Sequence, residues 1–492
     1  MALPLSHQPR EVARLEPAEV KPAQPKPARS KQLAGLASLV MGPAIWYMPR
    51  PDAVAAQTWH LFAIFASTIF SVAVGASPVQ TAAIIALAAA VLTGTLSPAD
   101  AYAGFANPTI VFIIVAMLAS RAFVKCGLAL RLGHRAVALF GRSTLGLSYS
   151  VFALDALIAP AFPSNVARSR VLYPFTRSMA ESAGATPGRK DRKRLGRFFM
   201  FSGMTSLTLS SVLWLTAMAG NLLGAELAKA WGVEIGLVSW LVAAALPTLL
   251  AMIVVPFLLY KFIKPESIAT PLAPADARRS LSEMGPWTRD QKVAGSILLG
   301  MILLWGLVGM LGGNPTAVAL LGLGLLLATN VLTLEDIASQ GNVLATFIWF
   351  AALFTMSSHL NTAGFTEFVS QRLAMGLVLL PLPLAAGALV VAYVLLHYLF
   401  HSQAVQLLAL FSVFLGIGVK LGVSAPLLAY ELLFATSYFA AMTPRASSAN
   451  LLFAGSGFLS KGEMYRMGAL YTAFIMSLYL VVGIPWLMLV TR

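Results

Sequence analysis

About twenty consecutive apolar residues are needed for a helix to cross the roughly 30 Å hydrocarbon core of a bilayer. This chain of 492 residues offers such stretches near 34–49, 57–75, 79–96, 108–125, 199–231, 236–263, 293–312, 314–331, 343–360, 423–459 and 465–488. Hydrophobic residues make up 58% and charged residues only 11%, against about 25% charged in an ordinary soluble domain. A soluble enzyme is excluded, because that much apolar surface exposed to water would drive association. The single cysteine, Cys126, rules out an internal disulfide and a thiolate metal cluster.

The formal charge of +15 does not point to nucleic acid. In a polytopic membrane protein basic residues mark cytoplasmic loops, and the densest run here is Arg189-Lys190-Asp191-Arg192-Lys193-Arg194, with Arg197 just after it. The polar connection 264–292, with Lys264, Arg278, Arg279, Arg289 and Lys292, belongs on the same side as a cytoplasmic linker. Residues 1–33, with Pro22, Pro25 and Pro27 and no apolar run, are expected to form a disordered cytoplasmic tail. The tail has neither the pattern of a secretory signal nor that of a transit peptide. A bacterial inner membrane is therefore expected, with the N-terminus cytoplasmic and, after eleven crossings, Arg492 outside.

Two further apolar stretches, 145–178 and 384–418, are too long for one span and carry polar breaks, Pro163-Ser164-Asn165 and His401-Ser402-Gln403. They are expected to be re-entrant helical hairpins, since backbone released at membrane depth survives only inside protein or against a cavity. The halves 57–263 and 293–492 then repeat one order: three spans, an amphipathic piece (127–140 or 363–376), a hairpin, an interrupted span and a final span. Ser164 answers to Ser402 and Asn221 to Asn450, while the segment 34–56 falls outside the repeat. An odd number of crossings per half makes the repeats inverted. The expected fold is an all-α polytopic membrane protein of about eleven transmembrane helices with two hairpins, the architecture of a secondary transporter with its site near the midplane.

The polar breaks supply the candidate site. Ser164 and Asn165 stand where a helix begins, and a helix start offers free N–H groups and the positive end of its dipole to an anion; plain capping of a hairpin tip is the alternative. Arg168 lies one turn on, where it could meet a carboxylate or reach the cytoplasmic headgroups. Asp155 could pair with it. The second break offers His401, Ser402, Gln403 and Gln406, with His397 in a packing role. The interrupted spans add Thr216 and Asn221 in the first half and Thr443, Arg445 and Asn450 in the second. Acidic residues are sparse, and none stands at metal-ligand or acid/base spacing, so a membrane-embedded enzyme is the weaker class of reading and no cofactor or metal is expected.

Pro163-Ser164-Asn165-Val166-Ala167-Arg168, the Ser402 break, Leu213–Asn221, His397-Tyr398-Leu399-Phe400 and Gly455-Ser456-Gly457-Phe458 resemble, in their order and spacing, the divalent anion/sodium symporter family. The likeness runs from about residue 34 to the end and is greatest to the branch of citrate/succinate-type and plastid oxoglutarate/malate-type carriers. It implies elevator-type transport of di- and tricarboxylates such as succinate, malate, 2-oxoglutarate or citrate, a homodimer, and a substrate held between the two hairpin tips. The family's Ser-Asn-Thr is Ser164-Asn165-Val166 at one tip and Ser402-Gln403-Ala404 at the other. Val166 and Ala404 lack the hydroxyls that sit near sodium in cation-coupled members, and a fixed Arg168 charge could replace the ion. Dicarboxylate exchange is therefore expected rather than sodium symport. Arg445 stands where the family pattern is uncharged and is expected to shift the substrate range.

Overall fold

The computed structural model describes residues 29–182, 184–188, 195–266, 270, 272–400, 402–438, 440–441, 443–444 and 446–491. Residues 1–28 of the expected tail, the basic run 189–194, His401 and Arg445 lie outside the described residues. Every described element is helical.

One helix, α1 (Arg29–Trp46), precedes the first half. That half comprises α2 (Ala56–Ala73), α3 (Val79–Leu92), α4 (Pro98–Tyr102), α5 (Pro108–Lys125), α6 (Leu128–Phe140), α7 (Thr144–Ile158), α8 (Asn165–Ser182), α9 (Gly196–Leu213), α10 (Ala219–Ala228) and α11 (Leu237–Ile263). After α12 (Ala273–Glu283) the second half answers element for element. It runs α13 (Arg289–Met310), α14 (Pro315–Ala328), α15 (Leu334–Ala338), α16 (Gly341–Thr362), α17 (Phe365–Ala374), α18 (Leu382–Leu396), α19 (Gln403–Lys420), α20 (Ala425–Tyr438), α21 (Asn450–Ala454) and α22 (Lys461–Leu478). A π turn, Tyr479–Gly483, continues α22 into α23 (Ile484–Val490).

Among the described residues nine helices are long and apolar enough to cross a membrane, and three of them are hairpin arms: Thr144–Ala161, Leu382–Leu399 and Gln403–Lys420. The stretches 79–96 and 314–331 are shorter than expected. Each forms a 14-residue helix, α3 or α14, which at 1.5 Å per residue rises about 21 Å. Both stop by the same device: a residue in the left-handed region, Gly94 at φ 66° or Asn330 at φ 57°, after which Leu96 N–H bonds Ala90 O and Leu332 N–H bonds Leu326 O at 3.0 Å. The short helices α4 and α15 then follow. The linker 264–292 contains a helix the sequence reading did not provide for, α12, which packs on α6. Buried Arg131 of α6 fastens its end by donating to the carbonyls of Met284, Gly285 and Pro286 at 2.9–3.2 Å.

The interrupted spans form the centre. All of α9 except Arg197 is buried, and α20 is buried continuously from Leu428 to Tyr438. The hydroxyls of α9 return to carbonyls of the preceding turn, as Ser202 to Phe198 O and Thr205 to Phe201 O do, so a polar helix can lie in an apolar setting. Gly224 lets α10 close against α19 and α20: a Cβ there would collide with Leu433 and sit 3.0 Å from Leu407. Gly224→Val is expected to lower stability by about 1–3 kcal/mol through overpacking, read as a reduced thermal midpoint of the detergent-solubilised protein.

Candidate functional site

In the first hairpin, Pro160 and Pro163 interrupt the chain between α7 and α8, and the carbonyls released there are taken up by the interrupted span. Trp214 Nε1 donates to Ala156 O at 3.0 Å, Thr216 Oγ1 to Pro160 O at 2.9 Å and Ala219 N–H to Pro163 O at 3.1 Å. Ser164 then caps α8, its hydroxyl accepting from Ala167 N–H at 3.3 Å.

Arg168 is wholly enclosed, and it neither reaches the headgroups nor faces open space. It donates to Asp155 Oδ1 at 2.9 Å, to Asn165 Oδ1 at 2.7 Å, to Ser211 Oγ at 2.6 Å, to the carbonyls of Leu207 and Ala217 at 3.3 Å, and to Ser210. Ser210 in turn donates to the second Asp155 oxygen. The expectation that Arg168 meets substrate or snorkels is corrected: it is a positioning residue that ties α7, α8 and α9 together. Asp155 stands against its charge at 2.9 Å. The physical reason is partner supply, since a guanidinium at this depth takes the nearest carboxylate and hydroxyls rather than remain unsatisfied.

The second hairpin repeats this clasp without charge. Asp155 and Arg168 are 13 residues apart, and so are Tyr393 and Gln406, where the Gln406 amide donates to Tyr393 O at 2.7 Å. His397 Nδ1 meets Gln406 Oε1 at 2.6 Å, which places His397 in the hairpin packing as expected. Sequence reasoning missed the correspondence of Arg168 with Gln406, although the spacing was visible.

The clasps bring the two breaks together. Asn165 Nδ2 donates to Gln403 Oε1 at 3.4 Å across 238 residues of chain, joining the first residue of α8 to the first of α19. Ser211 Oγ holds Asn165 Oδ1 at 2.8 Å, and Gln403 Nε2 donates to Thr436 O at 2.9 Å. Around this contact Ser164, Val166 and Ala167 at one tip and Ser402 and Ala404 at the other keep partial exposure. Two helix N-termini and two partly exposed serines thus stand beside this contact, while the two amides, both buried, are spent on it. The first N–H groups of each helix have no partner within the helix, and both dipoles present their positive ends. Such a place suits an anion.

The interrupted spans surround it. Asn221 Nδ2 donates to Ser211 O at 2.7 Å and Trp214 O at 3.3 Å, and Asn450 Nδ2 donates to Ala440 O and, at 3.0 Å, to Thr443 O. In both cases the acceptors lie 10 and 7 residues back, so each asparagine staples the unwound segment before its own short helix. Asn221 and Asn450, both expected at the substrate site and Asn450 as a donor to substrate, spend these side-chain N–H groups on backbone carbonyls in this structure. Thr443 is nearly buried in the second unwound segment. Thr216 lines a cleft of about 480 Å³ between α5, α10 and the α13–α14 connection, together with Thr109, Glu226 and Lys229.

A family model described as the sodium:sulfate symporter transmembrane region matches residues 29–492. The chain belongs to the divalent anion/sodium symporter family. As a member of that family it is a multi-pass membrane transporter and not an enzyme. YflS of Bacillus subtilis (strain 168), provisionally named a malate transporter, is 35% identical to it over 92% of this chain and 95% of that protein. Chloroplastic dicarboxylate transporter 2 of Spinacia oleracea is 36% identical over 89% of this chain and 79% of its own. The citrate/succinate antiporter of Escherichia coli (strain K12) is 27% identical over 92% and 96%. The structure of MtrF from Neisseria gonorrhoeae, described with a class of antimetabolite efflux pumps, shares the fold at a TM-score of 0.55 and 13% identity, covering 94% of this chain and 96% of that one.

Removing one partner of the Arg168–Asp155 pair leaves a buried, uncompensated charge. Arg168→Gln or Asp155→Asn alone is expected to cost about 3–5 kcal/mol and to lower the yield of folded protein by size-exclusion chromatography. The paired change Arg168→Gln with Asp155→Asn should recover most of that loss.

Proposed function

We propose that this protein carries dicarboxylates across a bacterial inner membrane and binds them between the two hairpin tips. The observation that supports this most is the meeting of Asn165 with Gln403, which sets two helix N-termini around the partly exposed Ser164 and Ser402. A dicarboxylate has a charge at each end, and this place offers a positive helix end from each repeat. Succinate, malate, 2-oxoglutarate and citrate are the substrates to try, since the relatives are named for malate, dicarboxylates and citrate/succinate.

Exchange of one carboxylate for another, without sodium, is the mode this reading favours. Val166 and Ala404 bring no side-chain oxygen where a hard cation would want one. A carrier that resets only when loaded needs a counter-substrate. The matching order of elements in the two halves supports an inverted-repeat, elevator-type movement of the hairpin-bearing part, within a homodimer. The N-terminus would be cytoplasmic and the C-terminus outside.

Purified protein in liposomes is expected to take up labelled succinate only when the lumen holds a dicarboxylate, and to do so equally with and without sodium. Uptake into empty liposomes contradicts exchange; uptake that rises steeply with external sodium establishes the cation-coupled alternative. Ser164→Ala and Ser402→Ala are each expected to raise KM for succinate about tenfold, the equivalent of about 1.4 kcal/mol for one hydrogen bond to a charged group.

A further inference from the structure

α20 carries a carboxyl group that plays no part in the site described above. Glu431 is 2% exposed. Its Oε2 accepts from the Tyr438 hydroxyl at 2.9 Å, and its Oε1 is buried without a hydrogen-bond partner. The helices packed against α20 are α9, α10, α11, α18, α19, α22 and α23. Their charged groups are engaged elsewhere or exposed: Arg197 with Glu463, Glu226 with Lys229 and Lys420 with Glu367 form ion pairs, Lys261 lies over Phe257, and Lys461 and Arg466 of α22 are exposed. The neighbouring phenols are also committed, Tyr393 to Thr436, Tyr471 to Thr208 and Tyr479 to Thr248. Tyr430, on α20 itself, packs at a tilt against Trp240 and Phe434.

An ionised carboxylate with one neutral donor and no cation among the described residues would cost several kcal/mol in this setting. The packing therefore fits a neutral carboxylic acid. Glu431 is also tied to the tips. Its partner Tyr438 ends α20 at the unwound segment, and two residues earlier Thr436 O accepts from Gln403, which holds Asn165. An ionised Glu431 would need a further donor at Oε1, and no described group supplies one.

We propose that Glu431 is a proton-binding site, filled in the arrangement seen here, with the two tips in contact, and emptied when the tips part in the transport cycle. The carboxylate takes a proton from water on closing and returns it to water on opening; no other bond changes. The site rests on the protonation of this one side chain, and its transport readout rests on the dicarboxylate-exchange reading.

Two measurements on the whole protein decide it. Infrared difference spectra of wild type should show a carboxylic-acid C=O stretch that disappears at alkaline pH and is absent from Glu431→Gln. In liposomes with equal pH on both sides, succinate homoexchange by wild type should fall several-fold as pH rises through that same transition, while Glu431→Gln exchanges at a pH-independent rate. Succinate is fully ionised throughout that range, so its own charge does not change. Tyr438→Phe, which removes the donor to the ionised form, should move the alkaline loss to higher pH. Absence of the band from wild type, or a parallel alkaline fall in Glu431→Gln, overturns the proposal. A band without any succinate exchange in either protein supports the proton site and removes the dicarboxylate reading instead.

Discussion

The ion pair between Arg168 and Asp155 decides where the first hairpin tip can stand. Both side chains have no exposure, so neither can borrow water, and the guanidinium completes its bonding with Ser210, Ser211 and Asn165. Those bonds fasten the start of α8 to the C-terminal turn of α9, and through Asn165 they carry the tip into contact with Gln403. The second hairpin reaches the same arrangement with Gln406 on a backbone carbonyl. One repeat uses a charged clasp and the other a neutral one, with the same separation along the chain.

A membrane interior penalises every unpaired backbone group, and a fold that unwinds four helical segments must account for each carbonyl it frees. The staples do so locally. Thr216 and Ala219 take the first hairpin's carbonyls, while Asn221 and Asn450 close the two unwound segments. With those donors spent on structure, the anion-binding capacity left to the tips is the two helix starts and the partly exposed Ser164 and Ser402. The Arg168 charge is cancelled beside it, so attraction comes from aligned dipoles, each about half a charge. A site of that kind can hold an anion and still release it.

Much of this was legible in the sequence. The polar breaks at 164 and 402, the two amphipathic pieces, the interrupted spans and the doubled order of elements all follow from hydropathy and proline placement. Side-chain commitments did not follow. Arg168 at four residues from Ser164 suggested a substrate face, because spacing along α8 says nothing of what α9 presents across from it. Asn221 and Asn450 stood out as a repeated polar pair, but only the unwound backbone shows which carbonyls they take. α12 was missed because a polar surface helix has no apolar stretch to mark it, and α3 and α14 proved short because Gly94 and Asn330 turn the chain before the apolar run ends. Nothing in the sequence marks Glu431 as enclosed, since a single sequence gives no depth.

Substrate protection at the tips tests the binding site most directly. In a Cys126→Ser background, Val166→Cys and Ala404→Cys place one thiol beside each helix start, and a charged, water-soluble thiol reagent reports access to it. Saturating succinate is expected to slow modification of both cysteines strongly, while a cysteine at the exposed Ser282 of α12 reacts at an unchanged rate. Equal reactivity of Val166→Cys and Ala404→Cys with and without dicarboxylate would put the anion somewhere other than between the tips.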